Sequence, residues 1–364
     1  MSAPFGKFFL PGPTEVLPEI LAAQNRPMVG HRGKETEDLL AAVAPSLRSV
    51  FRTQQPVIVS TSSATGLMEA AIRNGVRNKV LCLVNGAFSQ RFADIAQACG
   101  KELEVAKVEL GETFEADQVR ELAGKSGADA VTLVHSESAT GALNPVAEIA
   151  AAVRELPDVM VIVDGVTSVG GSPVETDAWG LDFVVTGSQK ALALPPGLAF
   201  GVAAPRLLEK AKTIPGRGIY FDLVRYEEQI RKNQTPYTPA VSLLYALRAQ
   251  LERIAAEGGI EARWARHDAM RARVEAWAAE RGPALGVAFL PRANRRSWTV
   301  SCLKLLNPAV QGSAVSKGMK GRGYVIASGY GKLKETTFRI GHMGDHTVGE
   351  LDALLGVLGE VLRG

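Results

Sequence analysis

The sequence has few cysteines, and their scarcity excludes two kinds of site. Cys82, Cys99 and Cys302 are odd in number, widely spaced and free of any CxxC pair. A disulfide framework needs paired cysteines, and a structural zinc site needs closely spaced cysteine or histidine ligands. We therefore expect no disulfides and no metal site, and we expect a reducing, cytoplasmic setting.

The sequence also lacks long apolar runs and an excess of charge of either sign. No apolar stretch approaches the ~20 residues of a membrane-spanning helix, and the apolar part of residues 1–10 is too short for a signal peptide. The 41 basic and 38 acidic residues leave a net charge of +3, which indicates neither a nucleic-acid partner nor a membrane partner.

The chain does have the length and apolar content for a large core. Its 364 residues are 46% hydrophobic, which predicts two or three domains. Apolar, strand-like runs alternate with helical patterns, and this alternation predicts a mostly parallel sheet with right-handed crossovers. After Gly282-Pro283 the pattern changes to that of a smaller α+β unit. We predict an N-terminal arm (1–18), a large domain (19–255) and a small C-terminal domain (256–364).

Three segments carry further predictions about local structure. Residues 212–240 lose all periodicity and are interpreted as a long loop, which in a compact protein usually has a function. Thr238-Pro239 is predicted to start the next helix, with Thr238 as its N-cap. The helix after that is predicted to run from about residue 260 to Arg281, just before Gly282-Pro283.

Two strand-like segments end in polar clusters, one containing a carboxylate and the other an amine. Asp164 ends one apolar run, and Lys190 follows another in Ser188-Gln189-Lys190. In parallel α/β sheets, ligands bind at the carboxyl ends of the strands. A lysine amine can form a Schiff base with an aldehyde, and a carboxylate can keep a pyridine nitrogen protonated. Together they indicate pyridoxal 5'-phosphate (PLP), although either residue alone is more often a surface lysine or a turn cap.

A hydroxyl-rich loop follows the strand-like run that ends near Val59. It reads Ser60-Thr61-Ser62-Ser63-Ala64-Thr65-Gly66 and leads into a helical pattern. A helix N-terminus with neighbouring hydroxyls binds anions, and phosphate in particular. The alternative is plain N-capping by Ser63 or Thr65.

Two further residues have both a functional and a structural interpretation. Phe88 lies just past a strand end, where it either packs into the core or stacks on a cofactor ring. Arg339 lies within an apolar strand-like run, and its guanidinium either binds a substrate carboxylate or forms a structural ion pair.

Four motifs in the same order resemble those of the class V aminotransferases. They are Pro11-Gly12-Pro13-Thr14, Ser188-Gln189-Lys190, Pro195-Pro196-Gly197 and Phe338-Arg339-Ile340-Gly341. The resemblance covers nearly the whole chain and is greatest to alanine–glyoxylate and serine–glyoxylate aminotransferases. It implies the type I PLP-transferase fold, with a seven-stranded-type sheet in the large domain and a smaller α+β domain.

The resemblance also implies a set of site residues. Lys190 and Asp164 would be catalytic. The cofactor would be held by Ser63, Ala64, Thr65, Phe88, Ser138, Asp164, Val166, Gln189, Lys190, Thr235 and Thr238. Ala64 stands where the family usually has glycine. Arg339 and Gly12 would bind the substrate. Thr238 would reach the cofactor phosphate of a partner subunit, which implies a homodimer with shared active sites.

The implied reaction is amino transfer from alanine or serine to a 2-oxo acid such as glyoxylate or pyruvate. The segment Gly30-His31-Arg32-Gly33-Lys34-Glu35 resembles one that binds the distal anion in phosphoserine aminotransferases. We expect Arg32 to be mainly structural; the alternative is that His31 and Arg32 bind an acidic donor such as aspartate. A PLP-dependent lyase or desulfurase is a further alternative, with Cys302 as the only late candidate for its cysteine. A non-catalytic protein of the same fold is another.

Overall fold

Seven strands form the larger sheet of the computed structural model, which describes residues 5–364. The strands of the first two hundred residues are β1 (Val57–Ser60), β2 (Lys79–Val84), β3 (Glu102–Lys107), β4 (Ala130–Val134), β5 (Ser136–Glu137), β6 (Ala142–Leu143), β7 (Met160–Asp164), β8 (Phe183–Gly187) and β9 (Ala199–Ala203). The sheet order is β1-β9-β8-β7-β4-β2-β3, and β5 pairs separately with β6. Only β9 runs antiparallel to its neighbours within this sheet. The predicted mostly parallel sheet is confirmed.

Helices cover both faces of this sheet. They are α1 (Pro18–Ala22), α2 (Lys34–Phe51), α3 (Ala64–Gly75), α4 (Ala87–Ala98), α5 (Ala116–Ser126), α6 (Val146–Val153), α7 (Pro205–Lys212), α8 (Leu223–Ile230) and α9 (Val241–Ala256). Every residue of β4, β7, β8 and β9 is buried, as expected for strands packed on two sides. On α2, Leu40, Val43 and Leu47 recur at helical spacing and are buried. Each fully buried side chain of this size stabilises the fold by about 1.5–3 kcal/mol.

A second sheet occupies the C-terminal part of the chain. Its strands are β10 (Val287–Phe289), β11 (Val300–Leu305), β12 (Ala327–Ser328) and β13 (Thr337–Gly341), and its helices are α10 (Gly259–Leu285), α11 (Gly312–Gly321) and α12 (Val348–Val361). The order is β10-β11-β13-β12, antiparallel throughout. The N-terminal arm joins this unit, since Phe9 is fully buried in its core and donates its N–H to Val325 O (2.8 Å). The boundaries at residues 18 and 255 stay predictions.

Three of the local predictions are wrong. The segment 212–240 contains helix α8, which Asp222 caps by accepting a hydrogen bond from the Val224 N–H (3.1 Å). Helix α9 begins at Val241 with Ala240 at its N-cap position, so Thr238 is not the cap. Helix α10 continues through Pro283 to Leu285 and ends where Gly286 adopts a left-handed conformation (φ 66°). Pro283 removes one i→i−4 hydrogen bond, and its ring crowds the carbonyl of Ala279, yet the helix continues for two further residues.

No helix between residues 5 and 364 is long and apolar enough to span a membrane. Over the same residues, no group of three or more histidine, cysteine, aspartate or glutamate side chains could hold a metal ion.

Candidate active site

A cavity of about 330 Å³ opens at the carboxyl ends of the parallel strands. The predicted residues that line it are Gly12, Ser63, Ala64, Thr65, Phe88, Ser138, Asp164, Val166, Gln189 and Lys190. They come from the arm and from the segments that follow β1, β2, β4, β7 and β8. Strands β2, β4, β7 and β8 are parallel neighbours, so their carboxyl ends bring these side chains together.

Asp164 is the last residue of β7 and is only 4% exposed. Its Oδ1 accepts a hydrogen bond from the Val166 N–H (2.7 Å), and no described residue donates to Oδ2. Burial raises the pKa of this carboxyl to about 6, against the lowering effect of the Val166 N–H. One carboxylate oxygen is therefore left to pair with a cationic group in the cavity.

Lys190 lies three residues beyond β8, and its amine is buried among the arm and the strand ends. The amine donates to Pro11 O, and Gly12 (φ 128°) passes so close that a Cβ there would collide with the lysine side chain. Burial lowers the pKa of the Lys190 amine to about 8, although the Asp164 carboxylate opposes the shift. A larger share of this amine is therefore neutral, and able to act as nucleophile or base, than in an ordinary lysine.

A buried arginine holds the turn that follows Lys190. Arg263, fully buried on α10, donates to the carbonyl of Ala191 through Nε (3.0 Å) and Nη2 (2.7 Å). Its Nη1 pairs with Asp345 Oδ1 (2.8 Å). The turn includes Ala193 in a left-handed conformation (φ 50°), which is strained for a residue with a Cβ and needs support from its surroundings.

The N-terminus of α3 provides free donors beside the same cavity. Ser63 occupies the N-cap position, but its side chain makes no capping hydrogen bond. Gly66 N–H bonds back to Ser63 O (2.9 Å), whereas no acceptor in the described chain is found for the N–H groups of Ala64 and Thr65. Plain N-capping by Ser63 therefore does not explain this loop. The unpaired N–H groups and the helix dipole make an anion site.

Arg91 is a cavity residue that sequence reasoning missed. It lies on α4, one turn beyond Phe88, and its Nη1 donates to Thr65 Oγ1 (3.3 Å). Its guanidinium carbon is 5.0 Å from the centre of the Phe88 ring, and it pairs with no carboxylate among the described residues. The only signal in the sequence is the i, i+3 spacing from Phe88, which places both on one face of a helix.

Phe88 is held at the cavity by a buried carboxylate, Glu137. This side chain is fully buried and accepts hydrogen bonds from the N–H groups of Phe88 (3.1 Å), Ser89 (2.9 Å) and Ala139 (3.0 Å). Burial raises the pKa of Glu137, against the lowering effect of these donors. Phe88 itself is half-buried and lines the cavity, so core packing is not its role.

Arg339 lies next to the cavity rather than in its lining. It is on β13, 7% exposed, and donates through Nη1 to Ser138 O (3.0 Å) and through Nε to Ser328 O (3.1 Å). No carboxylate in the described chain pairs with it, so the structural ion pair is wrong. Its charge lowers the pKa of Lys190, which puts the guanidinium within electrostatic reach of the amine.

Besides Arg339, four predicted residues do not line this cavity. Thr235 donates its hydroxyl to Tyr237 O (2.7 Å), and Thr238 is exposed. His31 is half-buried and Arg32 exposed, and within residues 5–364 the Arg32 side chain makes no hydrogen bond or ion pair. No hydrogen bond or ion pair within residues 5–364 therefore supports the interpretation of Arg32 as mainly structural.

Cys302, the candidate cysteine of a desulfurase, is buried within a strand. It lies in the middle of β11 and is fully buried. Burial raises the pKa of its thiol to about 11, so the reactive thiolate is scarce at neutral pH. These properties are the opposite of what a mobile nucleophilic cysteine needs.

Comparison with known proteins agrees with this geometry. The family model described as "Aminotransferase class-V" matches residues 14–309. An uncharacterized aminotransferase of Methanocaldococcus jannaschii is 39% identical over 92% of this chain and 87% of its own length. The L-aspartate–glyoxylate aminotransferase of Paracoccus denitrificans is 32% identical over 93% and 86%. The crystal structure of an alanine–glyoxylate aminotransferase from Nostoc sp. superposes with a TM-score of 0.91 at 30% identity, covering 100% and 97%.

The chain therefore belongs to the class V aminotransferase family. It has the type I PLP-transferase fold of its structural neighbours and is a PLP-dependent aminotransferase.

Proposed function

We propose that this protein transfers the amino group of a small amino acid, alanine or serine, to a 2-oxo acid such as glyoxylate or pyruvate. The observation that carries the proposal is the meeting of Lys190, Asp164 and the α3 N-terminus around one cavity, with Arg339 beside it. PLP, when bound, supplies an electron sink for negative charge at the α-carbon of an amino acid. The proposal assigns the remaining work to residues of the chain.

The cavity residues match the parts of PLP. The free N–H groups of Ala64 and Thr65, with the Ser63 hydroxyl and the Arg91 guanidinium, suit the phosphate. The free oxygen of Asp164 suits a protonated ring nitrogen. The Phe88 ring suits stacking on the pyridine, which adds about 0.5–1.5 kcal/mol beyond burial. Ser138, Val166 and Gln189 complete the wall around the ring.

Lys190 and Arg339 act on the substrate in this proposal. The lowered pKa of Lys190 leaves a neutral amine that takes a proton from the substrate α-carbon. The protonated amine would then return it, in a 1,3-shift, to the cofactor carbon on the far side of the substrate nitrogen. Arg339 holds the α-carboxylate through the donors that Ser138 and Ser328 leave free. Gly12 lets the arm backbone close over the amine. Lys190 and Arg339 are buried, at 9% and 7% exposed, which limits the access of water to the reacting atoms.

A homodimer with shared active sites is part of the proposal. Thr235 and Thr238 lie outside the cavity of their own chain, as residues that serve the phosphate of a partner would. Met28 and Ile219 are apolar side chains that are 73% and 70% exposed, and burial against a partner would remove them from water. If sedimentation shows that the active protein is a monomer, the proposed homodimer is contradicted. A cytoplasmic location, where thiols stay reduced, is also proposed.

A panel of donors and acceptors tests the function. Alanine, serine and aspartate are each assayed with glyoxylate, pyruvate and 2-oxoglutarate, with Lys190→Ala as the inactive control. We expect the highest kcat/KM with alanine or serine and with glyoxylate or pyruvate. The absence of amino transfer in every combination would overturn the proposal.

A preference for aspartate is the alternative, and exposed Arg32 is the observation that favours it. The Arg32 side chain makes no hydrogen bond or ion pair within residues 5–364, so it is available to a partner's site. There it would bind the distal carboxylate of an acidic donor. A charge-assisted hydrogen bond contributes about 1.5–3 kcal/mol, or roughly ten- to a hundred-fold in kcat/KM. In the same panel, an Arg32→Ala variant that loses only aspartate turnover by this factor establishes the alternative.

A further inference from the structure

Tyr330 lies between the two side chains that flank the proposed substrate position. The centre of its ring is 5.5 Å from the Arg339 guanidinium carbon and 5.5 Å from the centre of the Phe88 ring, at 39° to that ring. Arg339 accounts for the substrate carboxylate in the proposed function, and Phe88 for the cofactor ring. A substrate bound to both therefore has the Tyr330 ring beside it.

The turn that carries Tyr330 is held by several hydrogen bonds. Gly329 N–H donates to Thr337 O (2.8 Å), and Leu333 N–H donates to Tyr330 O (3.0 Å). The Thr337 hydroxyl also donates to Leu333 O (3.0 Å). A Cβ at Gly329 would collide with the Leu333 carbonyl, so the turn is tight. The ring is 43% exposed, but its Cα is fixed by these contacts.

A second cavity, of about 510 Å³, lies beside this ring. Tyr330 lines it together with Gly86, Ala87, Lys107 and Ala139. Ala87 and Ala139 are the chain neighbours of Phe88 and Ser138, which line the first cavity. The two cavities are therefore adjacent. Tyr330 lines only the second of them, and its ring lies beside Phe88 and Arg339 at the edge of the first.

We propose that Tyr330 is a specificity-determining residue that closes the side-chain end of the substrate site and restricts the donor to small side chains. The inference rests on the proposed function, because it takes Arg339 as the carboxylate site. A donor with a long unbranched side chain needs the volume that the ring fills. Without the ring, such a side chain extends into the second cavity, where the small residues Gly86, Ala87 and Ala139 leave room for it beside the charged Lys107 and Glu109.

Two variants at this position separate bulk from hydrogen bonding. Tyr330→Ala removes the ring, whereas Tyr330→Phe keeps it and removes only the hydroxyl. Leu306→Ala, at a side chain that is 54% exposed and lines neither cavity, controls for surface change. For each protein, kcat/KM is measured with norleucine and with alanine at saturating glyoxylate. The affinities of the unreactive carboxylates hexanoate and propionate are measured by calorimetry.

We expect Tyr330→Ala to raise the norleucine-to-alanine ratio by about tenfold or more, since each methylene accommodated in an apolar pocket changes kcat/KM by roughly 10–200-fold. The hexanoate-to-propionate affinity ratio should rise with it, and Tyr330→Phe should leave both ratios within about twofold of wild type. Unchanged ratios in Tyr330→Ala, equal changes in Tyr330→Phe, or no binding of either carboxylate would overturn the inference. If wild type transfers no amino group at all, the proposed function fails, and the carboxylate ratio still decides the role of Tyr330.

Discussion

Replacing Arg263 by methionine should destabilise the protein and displace the turn that carries Lys190. The substitution leaves Asp345, whose side chain is fully buried, without its 2.8 Å partner. It also removes both donors from the Ala191 carbonyl. Methionine keeps the apolar stem of the side chain and carries no charge, so the change deletes the guanidinium and leaves the space it filled empty.

The magnitude follows from the environment of Asp345. Removing one partner of a buried ion pair costs about 3–5 kcal/mol. Gln250 still donates to Asp345 (3.0 Å), and Arg266 lies 3.6 Å away, so we expect the lower end, about 3 kcal/mol. At ~2 °C per kcal/mol for a chain of this size, the melting temperature should fall by about 6 °C.

Thermal unfolding and steady-state kinetics, both with saturating cofactor, test this prediction. Arg253→Met is the matched control. Arg253 faces the same carboxylate, but it is 37% exposed and its Nε lies farther away, at 3.9 Å, so its loss should lower the free energy of unfolding by at most about 1 kcal/mol. A displaced Lys190 should also lower kcat by about tenfold, since a misplaced group loses near-attack geometry. Equal melting temperatures for the two variants, or an unchanged kcat in folded Arg263→Met, would refute the reasoning.

Three further predictions concern the cavity. Asp164→Asn should lower the rate of the chemical step far more than the affinity for PLP, because the carboxylate matters most when negative charge develops during the reaction. Stopped-flow kinetics measure the rate and titration measures the affinity, and equal losses in the two would contradict this prediction. Arg91→Met should weaken PLP affinity by roughly tenfold or more and leave the affinity for pyridoxal, which lacks the phosphate, unchanged; parallel losses would assign Arg91 to the ring instead. Because burial lowers the pKa of Lys190 to about 8, the rate at which the cofactor-free protein binds PLP should rise with pH, with a midpoint near 8. A midpoint near 10.5, the ordinary lysine value, would contradict this prediction. Between about pH 8 and 10.5, Lys190 holds a proton in the unfolded protein that it has lost in the folded protein. The free energy of unfolding of the cofactor-free protein should therefore increase as pH rises through this range.

The strand ends could be predicted from the sequence because parallel strands buried on two sides are continuous apolar runs. Each run stops where polar residues begin, and this places Asp164 and Lys190 at one edge before any coordinates are known. The direction of β9 could not be predicted in the same way. Its residues are as buried as those of β8, so its antiparallel direction leaves no mark in the pattern.

The supporting contacts of the site could not be predicted, because they join residues distant in sequence. Arg263 and Asp345 are 82 positions apart, and Glu137 reaches Phe88 across 49. Nothing local distinguishes these charges from the solvated ones. Helix α8 was missed for a different reason: Leu223 and Tyr226 are its only buried residues, too few to establish a helical period.

Borohydride reduction of the protein with bound PLP, followed by peptide mapping, tests the central claim most directly. The account predicts a yellow protein in which the reduced cofactor is attached to Lys190 and to no other lysine. Lys190→Ala should bind no cofactor covalently and should lack turnover. Attachment at a different lysine, or full activity in Lys190→Ala, would contradict the account.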